Sequence, residues 1–147
     1  MSPTTPKSII VTGGASGIGL ALTRHFASQG HQVAILDLNA AAGPVVAAAV
    51  AADFPQASVS FHACNVASWD EQAAAFEQAF HAHGDRLDIV VANAGVSEQG
   101  VTTLVKLDAG AEEGPVRPSA TTVEVNLLGA VYCEWLALGV CVVVWGG

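Results

Sequence analysis

"SIIVTGGASGIGLALTRHFASQG", residues 8–30, runs from a β-branched apolar stretch through a glycine-rich turn into a helical pattern. Residues 8–12 read as a buried strand. Ile18, Leu22 and Phe26 then recur at i, i+4 and i+8, which predicts a helix from about Gly17 to Gln29 buried along those three side chains. Gly30 supplies the left-handed stop. Glycines 13, 17 and 19 fall where strand hands over to helix, so main-chain N–H groups there can approach a pyrophosphate, whose charge the helix dipole favours. A glycine pattern alone serves a tight turn equally well.

The remainder of the chain repeats the alternation. Strands are expected at 32–37 ("QVAILD"), 57–63 ("ASVSFHA") and 87–92 ("LDIVVA"), with helices at about 44–52, from Ser68 to Gly84, and at about 120–138. "SWDE" (68–71) is a capping box, with Ser68 as N-cap and Glu71 at the third position, so Asp70 and Glu71 are read as capping groups and not as catalytic carboxylates. Short strands alternating with helices predict an α/β fold built on a doubly wound parallel sheet, within one domain spanning 1–147. Residues 96–118 mix Gly, Pro and charge and read as a long loop.

Composition narrows the function. Five Lys+Arg against thirteen Asp+Glu give a net charge of −8, with no basic patch, so nucleic-acid binding is not expected. Cys64, Cys133 and Cys141 are odd in number and lack a C-x-x-C pair, and His81 and His83 point to different helix faces. Neither a disulfide framework nor a metal site is indicated, and a cytoplasmic setting fits. No secretory h-region is visible, and the 13-residue apolar run at 135–147 is short of a membrane span, so no membrane partner is expected.

Asp37 ends the second strand 18 residues beyond Gly19, where a carboxylate can accept hydrogen bonds from a ribose and repel a 2′-phosphate. NAD is thereby favoured over NADP. With these residues in place, "TGGASGIG" (12–19) and "VANAG" (91–95) resemble the cofactor turn and N-A-G motif of the short-chain dehydrogenase/reductase family. The alanine in "VANAG" and the loop after it are similar to fungal-type members near 15-hydroxyprostaglandin dehydrogenase.

The resemblance implies a Rossmann-like sheet of order 3-2-1-4-5 and a nicotinamide cofactor across its C-terminal strand ends. It assigns Gly13, Ser16, Gly17, Ile18 and Gly19 to the cofactor turn, and Asn65 with Val66 of "CNV" to the adenine side. Asn93, Ala94 and Gly95 would support the cofactor, and Asn126 of "VEVNLLG" would hold a water in the proton relay. The activity implied is NAD-dependent oxidation or reduction of a small secondary alcohol or ketone, with self-association left open. Read from its residues alone, Asn126 is a buried helix amide satisfied by its neighbours.

The family's serine and Tyr-x-x-x-Lys have no counterpart here. Tyr132 is the only tyrosine and is followed four places on by Leu136; the only lysines are Lys7 and Lys106. The tail 135–147 is atypical: its β-branched run predicts a fifth strand whose "VCVVVW" forms an exposed apolar edge, and the chain reads as C-terminally truncated. That leaves a second expectation, an inactive dinucleotide-binding or interaction module.

Overall fold

The computed structural model describes residues 5–97 and 119–145, with main chain alone for 140–145. Strands β1 (Ser8–Thr12), β2 (Gln32–Asp37), β3 (Ser58–Ala63) and β4 (Ile89–Val91) form one sheet of order β3-β2-β1-β4, every pair parallel. Parallel neighbours need crossover connections, and helices α1 (Gly17–Ser28), α2 (Gly43–Asp53) and α3 (Trp69–Ala82) supply them. Three further helical segments follow as α4 (Thr121–Val123), a π-helical turn (Glu124–Leu128) and α5 (Gly129–Trp145).

Both faces of the sheet are covered, which is why β1 is buried at every position. On one face Ile10, Ala34 and Leu36 meet Phe76 and Ala79 of α3 and Cys133 of α5. On the other, Ile9, Val11 and Val33 pack with Phe26, while Ile35 meets Ala15 and Ala47. Each fully buried isoleucine contributes roughly 1.5–3 kcal/mol, so the two central strands anchor the fold.

Helix α1 departs from the expected burial. Its buried residues are Gly19, Thr23 and Ala27, one position on from the predicted stripe; Leu22 and Phe26 are half-buried and Ile18 is 75% exposed. Small side chains win the inward face because they let the helix axis approach the turn and sheet closely. Thr23 Oγ1 donates to the Gly14 carbonyl at 3.2 Å there.

The N-terminus of α3 keeps half of its capping box. Ser68 Oγ accepts from the Glu71 N–H at 3.4 Å, but the Glu71 carboxylate takes the Asn65 N–H at 2.9 Å, and the Ser68 N–H goes to the Asn65 carbonyl at 2.9 Å. The predicted fifth strand is also overturned: the tail continues as helix α5 to Trp145, so "VCVVVW" is not a strand edge. Among the described residues the sheet ends at β4, where Ile89 is 37% exposed. Most of the expected loop, 98–118, lies outside the described residues, as does the Cys141 side chain.

At the N-terminal ends of the strands, Ser8 joins three elements. Its N–H donates to Asp88 Oδ2 at 2.7 Å and its hydroxyl pairs with His83 Nδ1 at 2.8 Å. Burial alone would raise the Asp88 pKa, but the Ser8 amide, Arg86 and Lys7 together outweigh it and hold the carboxyl below its usual range. Burial, reinforced by His62, pushes His83 below 6.5. A depressed folded-state value means the unfolded chain takes the proton more readily. The His83 contribution to stability is therefore intact above pH 6.5 and declines as pH falls from there through the folded value. Urea unfolding of wild type and His83→Asn across pH 5–8 is expected to show a steeper acid decline in wild type; parallel curves would disprove it.

Candidate cofactor site

The C-terminal ends of the four strands converge on a cleft of about 360 Å³. Its walls come from Gly13 and residues 16–18, from 36–38 at the tip of β2, from 64–66 after β3, and from 93–96 after β4, with Val125 opposite. All the residues expected to meet a nucleotide line it except Gly19.

The glycine turn is shaped for a ligand with negative charge. Gly17 holds φ +51°, and a β-carbon there would meet nothing within 4 Å, so the bare backbone opens onto free space. Ser16 occupies the N-cap in extended geometry with its hydroxyl unused, and the first intrahelical bond runs from the Leu20 N–H to the Ser16 carbonyl at 3.0 Å. The N–H groups before Leu20 thus have no intrahelical acceptor and suit an anion. Gly19 acts from behind: a β-carbon on it would stand 2.1 Å from the Gly13 carbonyl oxygen and 2.6 Å from Asn93 Nδ2.

Asp37 sits at the tip of β2 beside the turn. Its Oδ2 accepts the Ala15 N–H at 3.1 Å and its Oδ1 the Asn39 N–H at 3.0 Å. Among the described residues, no lysine or arginine lines the cleft.

Thr12, which the sequence reading passed over, ties the two central strand tips together. Its hydroxyl accepts the N–H groups of Asn93 and Ala94, both at 3.0 Å, and lies 3.4 Å from the Val91 carbonyl. Asn93 Nδ2 in turn donates to the Thr12 carbonyl at 3.0 Å and the Gly13 carbonyl at 3.4 Å. Asn93 therefore supports the cleft wall from within. A threonine ending a strand one residue before a glycine turn was the available signal.

After β3, Asn65 Oδ1 accepts the Ala67 N–H at 3.0 Å, closing a short turn. Cys64 beside it is buried, and burial, then Glu71, pushes its thiol up to about 12. Cys133 is likewise pushed up to about 12 by burial, with Cys64 and Glu134 adding to it. Neither thiol is a nucleophile at neutral pH. Buried Gln72 bridges the wall to α5, its Nε2 donating to the carbonyls of Val66 at 2.5 Å and Gly129 at 2.8 Å.

Asn126 lies in the π-helical turn and outside the cleft-lining set. It is exposed as a residue, contrary to the buried amide expected, yet its side chain is fully engaged with the Val96 main chain. Oδ1 accepts the Val96 N–H at 2.8 Å, and Nδ2 donates to the Val96 carbonyl at 2.9 Å. A π-turn widens the helix by one residue and commonly marks a functional segment. Tyr132 is spent on packing, edge-on to Trp69 with ring centroids 5.6 Å apart.

Among the described residues, no helix is long and apolar enough to cross a membrane. A family model described as short chain dehydrogenase matches residues 7–140. "NADP-dependent dehydrogenase M3" of Phoma sp. is 40% identical over 133 residues, covering 90% of this chain and 38% of its own length. "5'-hydroxyaverantin dehydrogenase stcG" of Emericella nidulans is 38% identical over 141 residues, covering 90% and 44%. Among solved structures, an NADPH-dependent 3-quinuclidinone reductase from Rhodotorula rubra superposes with a TM-score of 0.74 at 28% identity, over 91% of this chain and 47% of its own. A short-chain dehydrogenase/reductase from Burkholderia phymatum shares the fold at a TM-score of 0.77 and 23% identity, over 95% and 46%. The chain thus spans less than half the length of these relatives. With a glycine turn, an acidic β2 tip and an N-A-G wall around one cleft, and a family match over residues 7–140, the chain belongs to the short-chain dehydrogenase family.

Proposed function

We propose that this chain forms the nucleotide-binding part of an NAD-dependent oxidoreductase acting on a secondary alcohol or ketone. One observation carries the choice of NAD: the Asp37 carboxylate stands at the β2 tip beside the turn, and among the described residues no cation lines the cleft to neutralise a 2′-phosphate. When bound, the nicotinamide supplies the hydride acceptor or donor. The chain's own share is to seat the pyrophosphate on the first turn of α1, take the ribose hydroxyls on Asp37 and brace the cleft wall through Asn93 to Gly95. Asn126 holds that wall at Val96, which suits a residue that orders the proton path. A cytosolic setting goes with this reading, since it keeps Cys64 and Cys133 reduced.

A second reading applies to the 147-residue polypeptide by itself. Oxidation of an alcohol needs a base for the hydroxyl proton as well as an acceptor for the hydride. Tyr132 packs on Trp69 and position 136 is leucine, so no Tyr-x-x-x-Lys acid–base pair is formed within these residues. The polypeptide then binds the dinucleotide without turnover, as a binding or interaction module.

Calorimetric titration with NAD and NADP tests the first reading. NAD is expected to bind tighter, and Asp37→Ala to narrow the ratio by about tenfold. Tighter binding of NADP by wild type would overturn the ribose assignment. NADH formation with a secondary alcohol, lost in Asp37→Ala, would overturn the second reading.

A further inference from the structure

Buried Gln72 carries an inference that rests on the nucleotide reading and deepens it. It lies on the inward face of α3 and is fully buried. Its Nε2 donates to two main-chain carbonyls, Val66 at 2.5 Å and Gly129 at 2.8 Å, while among the described residues its buried Oε1 has no donor. A buried oxygen without a partner destabilises the fold, and a methionine would fill the same space without that cost. Packing therefore does not account for a glutamine here, whereas two donors on one nitrogen do.

The two carbonyls belong to opposite sides of the cleft. Val66 is in the wall after β3, which other bonds pin without Gln72: the Cys64 N–H goes to the Asp37 carbonyl and the Ala67 N–H to Asn65 Oδ1, both at 3.0 Å. Gly129 opens α5, and its N–H closes the π-helical turn on the Glu124 carbonyl. That turn carries Val125, which lines the cleft, and Asn126, which holds Val96. Gly129 also stands so near the β3 side that a β-carbon on it would lie 3.0 Å from Val66 Cγ2 and 3.1 Å from the Val66 carbonyl oxygen. Gln72 thus ties the π-turn to the better-anchored wall.

The strand order β3-β2-β1-β4 gives each half of a dinucleotide its place. With phosphates on the β1 turn and a ribose on Asp37 of β2, the other half extends over β4 toward residues 93–96 and Val125. We infer that Gln72 is a positioning residue for that nicotinamide half: it holds the π-turn, with Val125 and the Asn126–Val96 clamp, at the spacing the nicotinamide nucleotide needs, and leaves the adenosine half to other residues.

Calorimetry of the full chain with NAD and with ADP tests this, because ADP reaches only the turn, Asp37 and the β3 tip. Gln72→Met, which keeps the volume and removes both donors, is expected to weaken NAD binding by about tenfold and ADP binding by less than about twofold. Gln72→Glu, whose carboxylate cannot donate to either carbonyl, is expected to show the same split and decides where the methionine variant folds poorly. Losses of equal size for both ligands would reduce Gln72 to general packing, and unchanged NAD affinity would show the link to be dispensable; either result overturns this inference alone. Failure of the wild type to bind either ligand would overturn the nucleotide reading and this inference with it.

Discussion

Gly19→Ala is expected to abolish nucleotide binding and to lower stability by about 2–3 kcal/mol, although alanine is the better helix former. Propensity favours the change by roughly 1 kcal/mol. Against it, the new methyl would fall 2.1 Å from the Gly13 carbonyl oxygen and 2.6 Å from Asn93 Nδ2. Main chain blocks one side, and that carbonyl belongs to the turn that faces the cleft. The helix must back away, which breaks the Asn93 bonds to the Thr12 and Gly13 carbonyls and spoils the aim of the first-turn N–H groups. Urea unfolding and NAD titration of the variant check both halves. Wild-type affinity in Gly19→Ala would show that the close approach is dispensable.

Thr12→Val should cost about 3 kcal/mol with almost no change of shape. Valine fills the same volume and suits a strand, so neither a cavity nor a propensity penalty arises. What goes is one oxygen that accepts two N–H groups, those of Asn93 and Ala94, at a residue only 2% exposed. Each amide left without a partner costs roughly 1–3 kcal/mol. Thr12→Ser keeps the oxygen and is expected to stay within about 1 kcal/mol of wild type, mostly the lost methyl. Equal stabilities for valine and serine would show that the hydroxyl bonds contribute nothing. Nucleotide affinity should fall with valine, because Asn93 to Gly95 form the cleft wall.

The order of strands and helices was legible because short, nearly continuous apolar runs and turn glycines mark them locally. The site was legible where a residue type is forced by geometry, as at Gly17, or by charge, as at Asp37. Thr12 escaped because its partners lie about 80 positions away, and its place before the glycine turn does not say which amides its hydroxyl takes. The register of α1 escaped for a related reason. Counting large apolar residues selected Ile18, Leu22 and Phe26, but close packing on the turn selects small ones, and Ile18 is left facing the cleft. The tail was misread because β-branched residues favour strands only weakly. Extending a formed helix adds one hydrogen bond per residue, whereas a new strand needs a turn that Gly139 alone does not make.

The two hydrogen bonds at Asp37 have a consequence for anyone wishing to convert the coenzyme preference. The side chain proposed to judge the sugar is also a brace, since its second oxygen holds the Ala15 amide of the phosphate turn. Installing a basic residue there would welcome the extra phosphate and at the same time release that amide, slackening the very loop that must grip the nucleotide. A successful conversion leaves an oxygen at position 37, as serine or asparagine would, and introduces the positive charge next door, where Leu38 is 72% exposed.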